Sequence, residues 1–218
     1  AVEFQVTLEP ARLGASVTMT VDRGELLKHI NFQNRNDSIS ALKADGSLRE
    51  KDGRVFWDLP SGRSTLSYFV RIPHERSPGK YDAIINGDWA IFRGDDIVPG
   101  MQTGEAKGEY SVSTLAFVLP EGWSSVQTGW PRVQDNTFRI DNPERLFDRP
   151  TGWMIAGKIG TRNTIRSGTS ITVAAPMGQN YQRMDALVFL RFVWREIDKA
   201  FVTTPERLLV VGAADLMW

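Results

Sequence analysis

Apolar and polar positions alternate along most of the chain. Phe4, Val6 and Leu8 alternate with Gln5, Thr7 and Glu9, and Val17, Met19 and Val21 repeat the pattern after Gly14. A period of two places one face of a strand in a core and the other toward water. Residues 27–33 form a third candidate strand. Residues 54–58 and 66–72 follow across the turn cluster Pro60-Ser61-Gly62, with Leu66, Tyr68, Val70 and Ile72 on one face. Residues 81–85 and 89–92 flank Asn86-Gly87, which predicts a hairpin with a type I′ turn, because Asn-Gly tolerates the positive φ that turn needs. Residues 110–119, 137–140, 153–159 and 169–174 add four more strands. Residues 38–49 read as loop or hairpin. Short strands punctuated by Pro and Gly predict a mainly β fold, an antiparallel β-sandwich over residues 1–176.

The pattern changes near Pro176-Met177-Gly178. Leu187, Leu190, Val193, Trp194, Ile197 and Phe201 are spaced by three and four, one stripe of an amphipathic helix, with Arg191, Arg195, Glu196 and Lys199 off it. Pro205 ends the helical region. Leu208 to Val211 is a continuous apolar run, which suits a strand covered on both faces. Residues 177–218 are therefore expected to be a short C-terminal α/β segment. One helix and one strand cannot close a core alone. The stripe is expected to dock on the sandwich or to mediate self-association through residues 183–218.

Composition narrows the chemistry. The 218 residues carry 26 basic and 26 acidic side chains, so the net charge is zero and a whole-chain nucleic-acid binder is not expected. Arg132, Arg139, Arg145 and Arg149 are interleaved with Asp135, Asp141, Glu144 and Asp148, the mark of an ion-paired surface. No apolar run approaches the roughly 18–20 residues of a membrane span. Cysteine is absent, which excludes disulfides and thiolate chemistry. The opening Ala1-Val2-Glu3-Phe4 is that of a processed or trimmed chain, and a removed secretory leader would place the protein in the periplasm or outside the cell.

Candidate catalytic and metal residues are few. The two histidines, His29 and His74, read as strand and turn residues. No Gly-x-Ser-x-Gly elbow accompanies them. His74-Glu75 begins like a zinc helix, but Arg76-Ser77-Pro78 lacks the second histidine and forbids a continuing helix. Gly157-Lys158-Ile159-Gly160-Thr161 has no helix after it to cradle a phosphate. Asp95-Asp96 and the group Asp45, Asp52 and Asp58 read as solvated turn carboxylates. No catalytic or metal-ligating residue is assigned. Seven tryptophans remain. Trp57, Trp89 and Trp194 fall on core positions, whereas Trp123 and Trp130 flank a polar loop and are the candidate exposed, ligand-facing aromatics. Those two keep open a carbohydrate- or peptide-binding module. The strand content keeps open a structural module of the cell envelope.

Two segments carry a family resemblance. Leu119-Pro120-Glu121-Gly122-Trp123 resembles the strand-ending LPxGW element in the N-terminal β domain of glycyl-aminopeptidase-like metallopeptidases, gluzincins related to aminopeptidase N. Residues 147–157, Phe-Asp-Arg-Pro-Thr-Gly-Trp-Met-Ile-Ala-Gly, resemble the same family's acidic-Pro segment leading into an apolar strand. In that family a helix and a strand follow the β domain before the zinc helix. The resemblance implies the non-catalytic N-terminal region of an exported zinc-peptidase-like protein, supporting a catalytic domain, its substrate cleft and a peptide substrate. Zinc would belong to the parent protein. No His-Glu-x-x-His occurs in the chain, so no family catalytic residue is carried over. Purified chain is expected to hold no stoichiometric zinc. Bound zinc that is lost on His29→Ala or His74→Ala would refute this.

Overall fold

The computed structural model describes residues 1–34, 38–104, 110–142 and 145–213. Strand Val2–Glu9 buries Val2, Phe4, Val6 and Leu8, as the alternation requires. It pairs antiparallel with Gly14–Val21, which pairs with Ser64–Arg71, which pairs with Ile39–Ala44. On its other side it runs parallel to Ser113–Val118. Thr137–Ile140 and Arg132–Gln134 complete this seven-stranded sheet. The parallel pair departs from the antiparallel expectation. The chain leaves the sheet after residue 21 and returns to its other side only at residue 113, too far for a hairpin to impose antiparallel pairing.

Two smaller sheets cover the buried face. One orders Met101–Gly104, His29–Gln33, Arg54–Asp58 and Ser47–Lys51. The other orders Ser125–Thr128, Trp153–Gly157, Trp89–Arg93, Lys80–Ile85 and His74–Ser77. Phe4, Met19 and Leu66 from the large sheet share one core with Phe32 and Trp57 from the first small sheet and Phe92 and Met154 from the second. Trp57 is fully buried and its indole N–H donates to the Asp45 carbonyl at 2.6 Å.

Three local expectations change. Residues 39–51 are two strands but not a hairpin, since they belong to different sheets. Gly46 makes the crossing at φ +86°, where a Cβ would lie 2.5 Å from the Asp58 carbonyl oxygen. Residues 24–27 form one helical turn, and the strand begins only at His29. The 80–85/89–93 hairpin forms without a type I′ turn: neither Asn86 nor Gly87 has positive φ. Asn86 Oδ1 instead accepts the Asp88 and Trp89 amides at 2.9 and 3.0 Å, so the side chain closes the turn.

The C-terminal helix spans Arg183–Asp198 and the last strand Arg207–Val211, close to the expected bounds. That strand lies parallel to Thr169–Pro176, itself paired with Ile159–Arg166. The three-stranded sheet therefore extends across the expected junction at 176/177. The chain passes from the five-stranded to the three-stranded sheet at Gly157-Lys158.

One buried carboxyl is out of balance. Asp148 is buried; its Oδ2 accepts the Asn142 amide at 3.2 Å, while Oδ1 has no hydrogen-bond partner among the described residues. Burial raises its pKa, with Asp141 adding to the rise and Arg145 opposing it. The protonated form is thus favoured in the fold. Its contribution to stability is full below the ordinary carboxylate pKa and is lost as pH rises through the raised value. Asp148→Asn removes that loss, so its stability relative to wild type should improve as pH rises through and above the ordinary carboxylate range. Urea unfolding across that range measures the difference, and a pH-independent difference would refute the assignment.

Candidate functional site

The three-stranded sheet and its helix form an extension built onto the sandwich. Strand Trp89–Arg93 supplies the base. Ala90 and Phe92 point into the main core, while Trp89 and Ile91 point out of it and meet Ile159, Ala174, Leu209 and Val211. Ile155 joins them from the adjacent strand. On the sheet's far side Ile171, Val173, Leu208 and Val210 meet Leu187, Leu190, Trp194 and Ile197 of the helix. Leu208 to Val211 thus alternates between two apolar layers, which explains a run with no polar break. Its residues are half-buried, because Arg207–Val211 is the sheet's edge strand.

Polar groups fix the orientation of the extension. Arg207 donates from Nε to the Thr128 carbonyl at 2.9 Å and from Nη2 to Gln127 Oε1 at 2.7 Å. Burial and the nearby Arg132 charge lower the Arg207 pKa. Arg132 itself donates to the Val126 carbonyl and lies over the Phe138 ring, 4.6 Å from its centre. Lys158 Nζ meets Asp88 at 2.6 Å and Arg139 meets Glu206 at 3.1 Å, both exposed pairs that contribute little each.

Only one side of the helix is used by this docking. Leu187 and Trp194 are buried, and the Trp194 indole donates to Ser167 Oγ at 3.3 Å. Met184, Val188, Phe189 and Phe192 face away, with Phe189 63% and Phe192 87% exposed. Val202 and Phe201 beyond the helix end are exposed too. Covering one such ring contributes roughly 1.5–3 kcal/mol, and the four side chains on the helix together form an exposed apolar patch. The sequence stripe located the inner face. The outer one was equally legible in Val188, Phe189 and Phe192, but a stripe search centred on one face passes over it.

Of the residues singled out for chemistry, His74, Asp95, Asp96 and Arg149 line one concavity, and the others lie apart. The Trp123 ring is buried, with its indole donating to the Gly87 carbonyl at 3.0 Å, so the expected exposure is not met there. Gly122, at φ +81°, turns the chain so that Trp123 re-enters the core. Trp130 is half-buried against the same core and donates to the Thr151 carbonyl at 3.3 Å. Trp153 is 37% exposed, but Arg93 covers its ring at 4.6 Å. Trp218 lies outside the described residues. His29 is an exposed strand residue whose ring lies against Gly104. His74 is exposed on an edge strand, with Nδ1 3.2 Å from Asp82. Asp45 accepts from the Thr65 amide and hydroxyl, bonds that lower its pKa, and Asp58 pairs with Arg49 at 2.9 Å. Among the described residues no group of three or more His, Asp or Glu side chains converges as a metal site. The residues present do not fit zinc. No helix among the described residues is long and apolar enough to cross a membrane.

No protein-family model matches the chain, and no curated protein sequence matches it. Solved structures do. An aminopeptidase N family protein from Idiomarina loihiensis superposes with a TM-score of 0.71 at 17% identity, over 96% of this chain and 38% of that one. An M1 zinc metallopeptidase from Deinococcus radiodurans gives a TM-score of 0.54 at 16% identity, over 96% and 55%. The same enzyme with a Tyr-Ser-Ala substrate bound gives 0.52 at 17%, over the same shares. The chain has a fold found within these peptidases and spans about two-fifths to just over half of their length.

Arg207→Ala should remove both bonds to the 125–128 strand and cost about 1.5–3 kcal/mol, the range for charge-assisted hydrogen bonds. Amide hydrogen exchange should accelerate in residues 159–176 and 207–211 and stay unchanged in strands 2–9 and 14–21. Uniform acceleration, or none, would show that Arg207 is not what holds the extension.

Proposed function

We propose that this chain is the non-catalytic N-terminal region of an exported M1-type metallopeptidase-like protein, and that it supports the catalytic part and one wall of its substrate cleft. The observation that carries the reading is the outer helix face. Met184, Val188, Phe189 and Phe192 are held out by a docked helix, in a fold that recurs within longer M1 peptidases. The remainder of such a peptidase is the partner that would cover this face. Residues 1–176 are then the supporting β domain, and residues 177–218, with the helix Arg183–Asp198 and the strand Arg207–Val211, open the catalytic part. In this reading the zinc, the peptide substrate and the catalytic residues belong to the parent protein, which works in the periplasm or outside the cell.

An antibody raised against this chain should detect, in cells of the source, a polypeptide about twice as long or longer. Peptide mapping of that species should return a downstream His-Glu-x-x-His segment. In the parent, Phe189→Asp with Phe192→Asp should lower both thermal stability and peptidase activity. In the 218-residue chain the same pair should leave the melting temperature nearly unchanged. A native species of this length alone would sink the proposal. A stable dimer of the chain that the double substitution dissociates would assign the face to self-association instead.

A further inference from the structure

A concave feature lies outside the three-stranded sheet and its helix. A cavity of about 720 Å³ opens where three sheets meet. The four-stranded sheet contributes Gln33, Arg54 and Gln102, the edge of the seven-stranded sheet contributes Ile39 and Arg71, and the crossing to the five-stranded sheet contributes residues 72–74. Asp95, Asp96 and Arg149 close another wall.

The cations in this cavity are unequally neutralised. Arg149 Nη2 pairs with Asp95 at 2.8 Å and Nη1 donates to the Val98 carbonyl at 3.0 Å, so its charge and fork are used. Arg54 donates only to neutral acceptors, Asn31 Oδ1 and, at 3.2 Å, Gln102 Oε1. Arg71 has no ion pair among the described residues. Asp96 accepts the Arg93 amide at 2.6 Å and forms no ion pair with either arginine. The other described arginines before residue 90 are Arg12, Arg23, Arg49, Arg63 and Arg76, and each has a carboxylate within 4 Å. The two left without one line the same concavity. A guanidinium presents a rigid planar fork that matches carboxylate and phosphate oxygens, and a recess strengthens that attraction over an open surface.

We infer that this cavity binds a small oxyanion-bearing ligand, its phosphate or carboxylate group held between Arg54 and Arg71 and its polar body against Gln33 and Gln102. The volume suits a molecule of metabolite size, and the lining sets Ile39, Ile72, Pro73 and Pro99 beside the charged groups. The site is independent of the peptidase reading, since none of its residues belongs to the extension.

Isothermal titration calorimetry of the 218-residue chain with inorganic phosphate and, separately, with citrate tests the site. Saturable one-site binding of at least one anion is expected. Arg54→Gln and Arg71→Gln should each weaken it about tenfold, equivalent to about 1.4 kcal/mol. Arg63→Gln, which removes an exposed charge paired with Glu3 and Asp22, should leave it unchanged. Both cavity substitutions lie at partly or fully exposed side chains, and circular dichroism confirms that the variants fold. Binding of phosphate alone identifies a phosphorylated ligand, and binding of citrate alone a carboxylate; either supports the inference. No saturable binding of either anion, binding unmoved by both cavity substitutions, or an equal loss in Arg63→Gln overturns it.

Discussion

Two inner strands of the five-stranded sheet, Trp89–Arg93 and Trp153–Gly157, are buried on both faces, and the rest of the molecule is arranged around that constraint. A sheet with one wet face needs one apolar partner, whereas a sheet covered on both needs two. Trp89, Ala90, Ile91 and Phe92 are all buried, and successive side chains enter different cores. The seven-stranded sheet closes one side through Phe92 and Met154. The three-stranded sheet closes the other through Trp89 and Ile155. Gly157 permits the passage between layers: it sits at φ +120°, where a Cβ would meet the Asp88 carbonyl oxygen at 2.3 Å. The Ser124 amide and hydroxyl both donate to the Gly157 carbonyl, which ties that passage to the sandwich.

This layering makes the helix a presented surface. Its inner face has a sheet beneath it, and that sheet has the doubly buried strands beneath it in turn. The helix is therefore placed by packing against the sandwich through an intermediate layer. Met184, Val188, Phe189 and Phe192 are held outward by the same contacts that bury Leu187 and Trp194. The polar contacts have a different role. Exposed pairs such as Lys158 with Asp88 add little energy, but Arg207 is partly buried and bonded to a backbone carbonyl, so it selects one orientation of the extension.

Much of this was legible from residue spacing. The period-two face of Phe4, Val6 and Leu8, the set Leu66 to Ile72, and the helical stripe from Leu187 to Ile197 each found their buried side, because amphipathic periodicity is a local consequence of facing one core. Double burial left a signal as well, in the unbroken runs Trp89-Ala90-Ile91-Phe92 and Leu208 to Val211. Turn chemistry was read less well. Asn86 closes its hairpin with a side-chain acceptor, an alternative the Asn-Gly pair does not reveal. Trp123 misled because its loop is polar while the ring itself folds back into the core over Gly87.

The sequence by itself determined the longer strands, the C-terminal helix and the apolar face each presents, together with the absence of thiol chemistry. These follow from local covalent geometry and from the residue inventory. Tertiary structure alone decided which strands share a sheet, where the chain changes layer, and which apolar faces find partners. It alone gathered Arg54, Arg71, Gln102 and Arg149 around one cavity, from positions dispersed along the chain. The physical reason is that pairing and concavity depend on long-range packing, and the period of a segment specifies its own buried side without naming the surface that will cover it.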